Sequence, residues 1–371
     1  MHDIIIIGGG LAGLTAALHL SKAGCSVLVI EKKSYPQHKV CGEYVSDEVL
    51  NYLQSLGADI KSIQPRHVDR FRLYAPSGTF IEAPLPLGGF GMRRYTFDHH
   101  LYEKALAGGV DFWLSTKVEQ VHFQEDYFEV KAQRKEPVRA QVVLGSFGKR
   151  STLDKALHRP FFRKPADYLG VKFYLKTDFP SNLVTLYNFS GGYGGAVEVE
   201  DGTVDIAYLT RHDQVKACGG LQAFEEKVIW KNPAFKTLLT EAERLKPTLT
   251  ISNISFRPKK QIQDHILMLG DAAGMIPPLA GNGMAMAIHA GKLASETATH
   301  FLQKKISRSA MEKQYQQAWN RHFAYRLFWG RRLHRFMGKP ALSEFSVRAL
   351  QKMPFLLPAI VRQTHGKEIV P

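Results

Sequence analysis

Cysteine is scarce in this 371-residue chain: Cys25, Cys41 and Cys218 are the only three, and none forms a C-x-x-C pair. That count excludes a disulfide-stapled scaffold and a thiolate zinc site, and it points to a reducing, cytoplasmic setting. Long apolar runs are also missing, since none reaches the roughly 18 residues that a membrane-spanning helix needs. Met1-His2-Asp3 leads directly into Ile4–Ile7, which stops at glycine, so no secretory leader is expected. Ligand-spaced histidines are absent too. His99 and His100 are adjacent and would face different sides of a helix, while His265 only precedes an apolar run, so no metal site is expected. No G-x-S-x-G motif, internal repeat or low-complexity tract occurs. What is present, 44% hydrophobic residues, describes a globular chain of one large or two ordinary domains.

Acidic residues are the second shortage. There are 34 against 49 Lys plus Arg, a net charge of +15. The imbalance sits at one end: Phe301 to Pro371 carry 14 basic and 3 acidic residues, and the rest of the chain is nearly balanced. In this stretch Tyr315, Trp319, Phe323 and Leu327 recur every four residues among Arg321, Arg326, Arg331, Arg332 and Arg335. Such a stripe either packs on the body of the protein or forms a basic amphipathic helix resting on anionic lipid as a peripheral contact. No nucleic-acid motif accompanies the charge, so nucleic acid is not expected as a partner.

The chain opens as a βαβ unit. Asp3–Ile7 reads as a buried strand, Leu14–Lys22 as a helix stopped by Gly24, and Ser26–Ile30 as the next strand. Helices are expected over Asp47–Leu56 and Phe97–Leu106. Val68–Pro86 and the runs Val171–Leu175, Leu183–Phe189 and Val204–Leu209 alternate as antiparallel strands do. Ile266–Leu269 is a short strand, followed by a helix from about Gly283 to Leu302. Basic helices broken at Pro340, Pro354 and Pro358 finish the chain.

Two glycine-rich joints carry the chemistry. Gly8-Gly9-Gly10-Leu11-Ala12-Gly13 is a G-x-G-x-x-G between strand and helix, and Glu31 closes the second strand. Gly8 permits the turn, Gly10 lets a pyrophosphate approach the backbone, and Gly13 lets helix pack on strand. The N–H groups of Leu11 and Ala12 open the helix toward phosphate, and Glu31, followed by Lys32, is placed to accept from a ribose. The second joint is Gly270-Asp271-Ala272-Ala273-Gly274, with Pro277-Pro278-Leu279-Ala280-Gly281-Asn282-Gly283-Met284 behind it.

With these two joints the chain resembles the FAD-dependent superfamily of para-hydroxybenzoate hydroxylase, which includes geranylgeranyl reductases and flavin-dependent halogenases. The resemblance implies that Asp271 binds the ribityl chain of FAD and that the loop Pro278–Gly283 lies against the isoalloxazine ring. Arg94-Tyr95-Thr96-Phe97-Asp98 with Leu101 resembles the family's R-x-x-F-D-x-x-L helix start, where the arginine lies near the cofactor and Asp98 would also serve as a helix cap. Cys41-Gly42-Glu43 resembles the C-G-G stretch of geranylgeranyl reductases, in which the cysteine faces the flavin. A buried, inert cysteine is the other reading of Cys41.

The pattern also breaks. Where hydroxylases of this superfamily carry G-A-D-G-x-x-S, this chain has Gly145-Ser146-Phe147-Gly148-Lys149-Arg150-Ser151, with Phe147 in place of the aspartate. Direct handling of NAD(P)H as electron donor is thereby in question, although Lys149 and Arg150 could attract it. The Y-x-W-x-F-P box of geranylgeranyl reductases has only Gly191–Glu198 as a counterpart, without tryptophan or proline. The halogenase W-x-W-x-I motif is missing.

The expected fold is α/β: a Rossmann-like FAD-binding domain with a parallel sheet, an antiparallel β-sheet substrate domain, and C-terminal helices. The FAD domain would be assembled from 1–67, 93–160 and 261–300, the substrate sheet from 68–92 and 161–260, and the basic region from 301–371. The expected function is an FAD-dependent monooxygenase that hydroxylates a hydrophobic aromatic, polyketide-like or quinone-like small molecule through a flavin C4a-hydroperoxide. The alternative is a geranylgeranyl-reductase-like enzyme acting on carbon–carbon bonds of a lipid or isoprenoid. A halogenase is a lesser alternative, and a non-enzymatic flavoprotein at the membrane another. Cys41, Pro278, Gly281 and Asn282 are the expected catalytic positions. Gly8, Gly10, Leu11, Ala12, Gly13, Glu31, Lys32, Cys41, Gly42, Arg94, Gly148, Gly270, Asp271, Gly281, Asn282, Gly283 and Met284 are expected to bind the cofactor.

Overall fold

The computed structural model describes residues 1–278, 281–353 and 366–371. Its first sheet grows from the four isoleucines. Ile4–Ile7 of the strand His2–Ile7 are 0–4% exposed, buried in one apolar core with Leu14, Ala17 and Leu18 of the helix that follows. That strand pairs in parallel with Val27–Ile30 on one side and Val138–Gly145 on the other. Asp111–Trp113 extends the sheet in parallel at one edge, and Ile266–Met268 extends it in parallel on the other side, with Ile262–Gln263 antiparallel outside it. The helix Leu11–Lys22 crosses between the first two strands, as the opening motif requires.

The helix Gly283–Leu302 lies against this first helix with almost no side-chain spacer. A Cβ at Gly291 would stand 2.7 Å from the Ala12 carbonyl oxygen. Gly291, with Ala287 and Ala294 on the same side of the helix, is thus what the contact demands. The two glycine-rich joints, at opposite ends of the sequence, therefore open neighbouring helices on one sheet edge.

The second sheet has eight strands in the order Glu243–Ile254, Tyr168–Lys176, Val204–Arg211, Gly192–Glu198, Leu183–Phe189, Arg66–Tyr74, Phe80–Gly91, Tyr44–Ser46. It is antiparallel except where Leu183–Phe189 runs parallel to Arg66–Tyr74. The alternating stretch from Val68 is a hairpin, and its second strand runs on through the Pro/Gly-rich segment to Gly91. The glycines there are steric necessities: a Cβ at Gly89 would lie 2.4 Å from the Tyr44 ring. One face of this sheet packs on the helices His212–Cys218, Leu221–Lys227 and Pro233–Thr240.

The helix Arg308–Phe336 spends its apolar stripe on the core beside the first sheet, where Tyr315, Trp319, Phe323 and Leu327 are buried. The Tyr315 hydroxyl donates to the Met268 carbonyl at 2.5 Å. Pro340 opens the next helix, Pro340–Lys352, at its first turn, where a missing N–H costs nothing. Pro354 and Pro358 lie outside the described residues. No helix among the described residues is long and apolar enough to cross a membrane.

At the joint of the two long helices His289 packs against His322 and Phe323, with ring centroids 4.5 and 5.3 Å away. Burial, then the positive fields of His322 and Arg326, push its imidazole down to about 3. An imidazole depressed below its unfolded value takes up protons on unfolding, so its contribution to stability is lost as pH falls from 6.5 toward 3. His289→Phe is expected to flatten the acid limb of the melting temperature over that window. An unchanged limb in thermal melts would contradict this packing.

Candidate functional site

The first joint forms a cradle that side chains would fill. A Cβ at Gly8 would lie 2.6 Å from the Ser146 carbonyl oxygen, and one at Gly13 would lie 2.1 Å from that of Gly8. At Gly10 the situation reverses. Its backbone is extended, with φ −85° and ψ −177°, and the nearest atom to a Cβ there is Lys39 Nζ at 3.9 Å. Space has been left above Gly10, facing the first-turn N–H groups of Leu11, Ala12 and Gly13, which no helical carbonyl can satisfy. Glu31, buried at the end of its strand, accepts from the Gly9 N–H at 2.7 Å and the Lys33 N–H at 3.1 Å. Lys32 points outward and is exposed.

Lys39 is a residue that the motifs do not reveal. It lies outside them in a loop, and only folding brings its ammonium over Gly10. It pairs at 2.6 Å with Asp98, which Arg94 also grips through Nε at 2.6 Å and Nη2 at 2.8 Å. Asp98 is therefore not a helix cap. The helix runs Arg94–Ala107 with Arg93 at its cap, and Asp98 sits a turn inside it, fully buried. Burial alone would raise its carboxyl, but Arg94 and Lys39 hold it below the usual range.

Around the second joint, Gly270 takes φ +51° against Ala12, a conformation that favours glycine. Burial raises the Asp271 carboxyl, against the pull of Lys259, Arg94 and Lys149. Lys259 donates to the backbone carbonyls of Asp271 at 2.6 Å and Lys149 at 2.7 Å. Burial lowers the ammonium groups of both Lys149 and Lys259 to about 8. Gly148 is left-handed at φ +82° with open space around it. Lys149 is tied to the Ser252 carbonyl, Arg150 to that of Phe162, and the Phe147 ring lies over Gly145.

Pro278 is exposed, Asn282 and Met284 are buried, and Leu279 and Ala280 lie outside the described residues. Gly281 is left-handed at φ +62°, where a Cβ would meet the Tyr44 ring at 2.6 Å. Asn282 caps the helix that starts at Gly283, and its carbonyl accepts from the Met286 N–H at 2.9 Å. Facing this loop runs a strap, Cys41 to Tyr44. The Cys41 Sγ lies 3.6 Å from the Met284 Sδ, and burial pushes its thiol up. A Cβ at Gly42 would be 3.9 Å from that of Ala207 on the second sheet. The structure thus brings Cys41, Gly42, Gly281 and Met284 together where the sheets meet, with Arg94 acting on the Cys41 thiol.

Sequence reading also missed Lys172, Asp205 and Tyr174. Each looks ordinary in an alternating strand, and only the register places them on one face beneath the strap. Beside them that face carries Leu186, Tyr193, Leu209, Ile251 and Phe256. His334 is set among the rings of Tyr168, Tyr193 and Phe256, at 4.8, 5.9 and 4.8 Å.

The two joints fit FAD: open space over Gly10 with Lys39 at its edge for the pyrophosphate, Glu31 for the ribose, and a carboxylate at Asp271 for the polyol. Asp271→Ala is expected to weaken FAD binding about ten- to hundredfold, the value of a hydrogen bond to a charged group. It should leave melting unchanged or slightly raised, because a partly buried carboxylate is removed while the backbone acceptor for Lys259 stays. FAD titration of the apoprotein checks this, and an unchanged affinity would overturn the polyol role.

The comparisons with known proteins agree with this geometry. Residues 1–303 match the FAD binding domain family. A digeranylgeranylglycerophospholipid reductase of Methanothermobacter thermautotrophicus is 27% identical over 317 residues, covering 80% of this chain and 76% of that protein. Among solved structures, the flavin-dependent brominase Bmp2 superposes with a TM-score of 0.80 at 18% identity, over 98% of this chain and 93% of that one. The halogenase PltM, solved with phloroglucinol and FAD, gives 0.79 at 16% identity over 98% and 82%.

Proposed function

This chain belongs to the FAD binding domain family, and we propose that within it the protein reduces carbon–carbon double bonds of a hydrophobic, isoprenoid-like small molecule. It is an FAD-dependent oxidoreductase, and FAD supplies the two-electron chemistry of the site. The remaining tasks fall to the chain. Gly8 to Gly13, Lys39 and Asp271 would hold the cofactor. The strap and the loop before Gly283 would seal its ring from water. The apolar sheet face would hold the substrate.

The observation that carries this reading is Cys41: its undissociated thiol meets Met284 at the head of the helix Gly283–Leu302, at the position the reductase C-G-G pattern assigns to the flavin-facing cysteine. The lipid reductase, related along 80% of the chain, supports the same substrate class. Contact with an anionic bilayer would fall to Tyr325, Phe328 and Trp329, exposed beside Arg332 on the outer face of the long helix. A second reading is hydroxylation of an aromatic ring with dioxygen. Tyr168, Tyr193 and Phe256 favour it, because these rings, which pack on His334, are of the kind that would stack on a planar aromatic substrate.

One experiment separates the two. The holoprotein is photoreduced without oxygen and mixed with a geranylgeranylated glycerophospholipid in detergent. The reductase reading expects anaerobic reoxidation of the flavin and a product heavier by hydrogen. No reoxidation, together with oxygen-dependent hydroxylation of an alkylresorcinol probe, would replace it with the second reading. Cys41→Ser is expected to slow the anaerobic step roughly ten- to hundredfold with FAD content unchanged, as for a displaced proton donor. Unchanged kinetics would return Cys41 to a packing role.

A further inference from the structure

Beneath the strap, the structure buries more negative charge than positive. Lys172 is 0% exposed, Glu43 and Asp205 1% each. The Lys172 ammonium pairs with the Glu43 carboxylate and lies 3.3 Å from Asp205 Oδ1. Glu43 is further held by the Tyr174 hydroxyl, donating at 2.8 Å, and by the Arg94 N–H, donating at 2.7 Å. Among the described residues Asp205 is held by Lys172 alone, at the longer distance, with no second donor such as Tyr174 or a backbone N–H gives Glu43.

Among the described residues, few other charged or titratable groups face the cluster. The Cys41 thiol lies in its field, the Arg93 guanidinium stacks on Tyr174 at 4.6 Å, and the exposed His38 ring is 6.4 Å from that of Tyr174. Arg94 spends its guanidinium on Asp98. Two carboxylates and one ammonium sealed from water would leave an uncompensated charge, which a protein interior resolves by binding a proton.

We propose that Glu43, Lys172 and Asp205 hold one shared proton, resting on the Asp205 carboxyl, and that the Tyr174 hydroxyl connects it with the surface, so that the cluster stores the proton the redox reaction delivers to its substrate. The proposal rests on the reductase reading for its acceptor. In the step, the Cys41 S–H bond breaks and its proton forms a C–H bond with the electron pair of the substrate double bond, and the Asp205 O–H bond then breaks as the stored proton passes through the cluster to the thiolate and re-forms S–H. The other carbon receives the two electrons and hydrogen drawn from the reduced cofactor. A water proton then restores the cluster through Tyr174 and Glu43. Burial raises both carboxyls against the pull of Lys172, and the two acids hold Lys172 protonated despite its own burial, in keeping with this arrangement.

Infrared difference spectroscopy tests the store directly, with or without bound FAD. Near neutral pH the wild type should show a carboxylic-acid carbonyl band that disappears in Asp205→Asn and also in Glu43→Gln, since either change leaves Lys172 with a single partner and no need for the extra proton. A protonated acid elsewhere would survive both substitutions. Tyr174→Phe should keep the band but slow its deuterium shift roughly tenfold, because the relay is cut. Wild-type minus variant spectra with no band lost, for both carboxyl variants, would overturn the proposal. Failure of the reductase reading would appear separately, as absent anaerobic reoxidation with the band intact.

Discussion

Gly10→Val will yield a folded protein without flavin. The extended backbone at Gly10 accepts a β-branched residue, and among the described residues, its chain neighbours apart, no atom comes closer to its Cβ position than Lys39 Nζ at 3.9 Å. The isopropyl group would occupy the space left for the pyrophosphate, between Lys39 and the open N–H groups of the helix. Neighbouring glycines behave differently. A Cβ at Gly13 would lie 2.1 Å from the Gly8 carbonyl oxygen and 2.5 Å from Ser146 Oγ, so Gly13→Val should damage folding as well as binding. Circular dichroism and released flavin measured together distinguish the cases. A yellow Gly10→Val protein with wild-type FAD content would refute the cradle.

Arg159→Leu will produce the largest loss of stability, about 3–5 kcal/mol, as expected when one partner of a buried ion pair is removed. Arg159 is 2% exposed and pairs at 2.8 Å with Asp154, which is fully buried. Its other amino group donates to the Lys260 carbonyl at 2.9 Å and the Ala272 carbonyl at 2.8 Å. It therefore pins the turn that presents Asp271, and the variant should also release FAD more readily. Asp154→Leu in the same chain should recover part of the loss, since no orphaned carboxylate then remains. Urea unfolding midpoints check both statements. A single variant as stable as wild type would mean that the pair is offset elsewhere.

Much of this was legible in residues that are constrained locally. Gly8 to Gly13 announce a strand–turn–helix because each glycine answers a backbone demand within its own joint. The helix Gly283–Leu302 was bounded correctly from its flanking signals. What sequence could not give was created by register and chain crossing. Lys172 and Asp205 sit in alternating strands that look like any half-buried strand, and they become a charged centre only when Lys172 pairs with Ala207 and Tyr174 with Asp205. Asp98 looked like a cap because it stands near a helix start, but the helix begins four residues earlier and Arg94 and Lys39 claim the carboxylate. The strands from Val118 to Gly145 and the glycine-rich strand Gly192–Glu198 escaped because their pairing partners, rather than their own composition, make them strands.

The chain is an FAD-dependent oxidoreductase, and the strap and the loop that precedes Gly283 are where we propose that its flavin ring lies. The most direct measurement is the absorbance of the purified protein, before and after anaerobic photoreduction, with the flavin then released and quantified. An oxidised flavin spectrum, equimolar FAD, and complete bleaching that reverses with an electron acceptor are expected. A protein that takes up no FAD from an excess of the cofactor, or whose bound FAD cannot be reduced, would contradict this assignment.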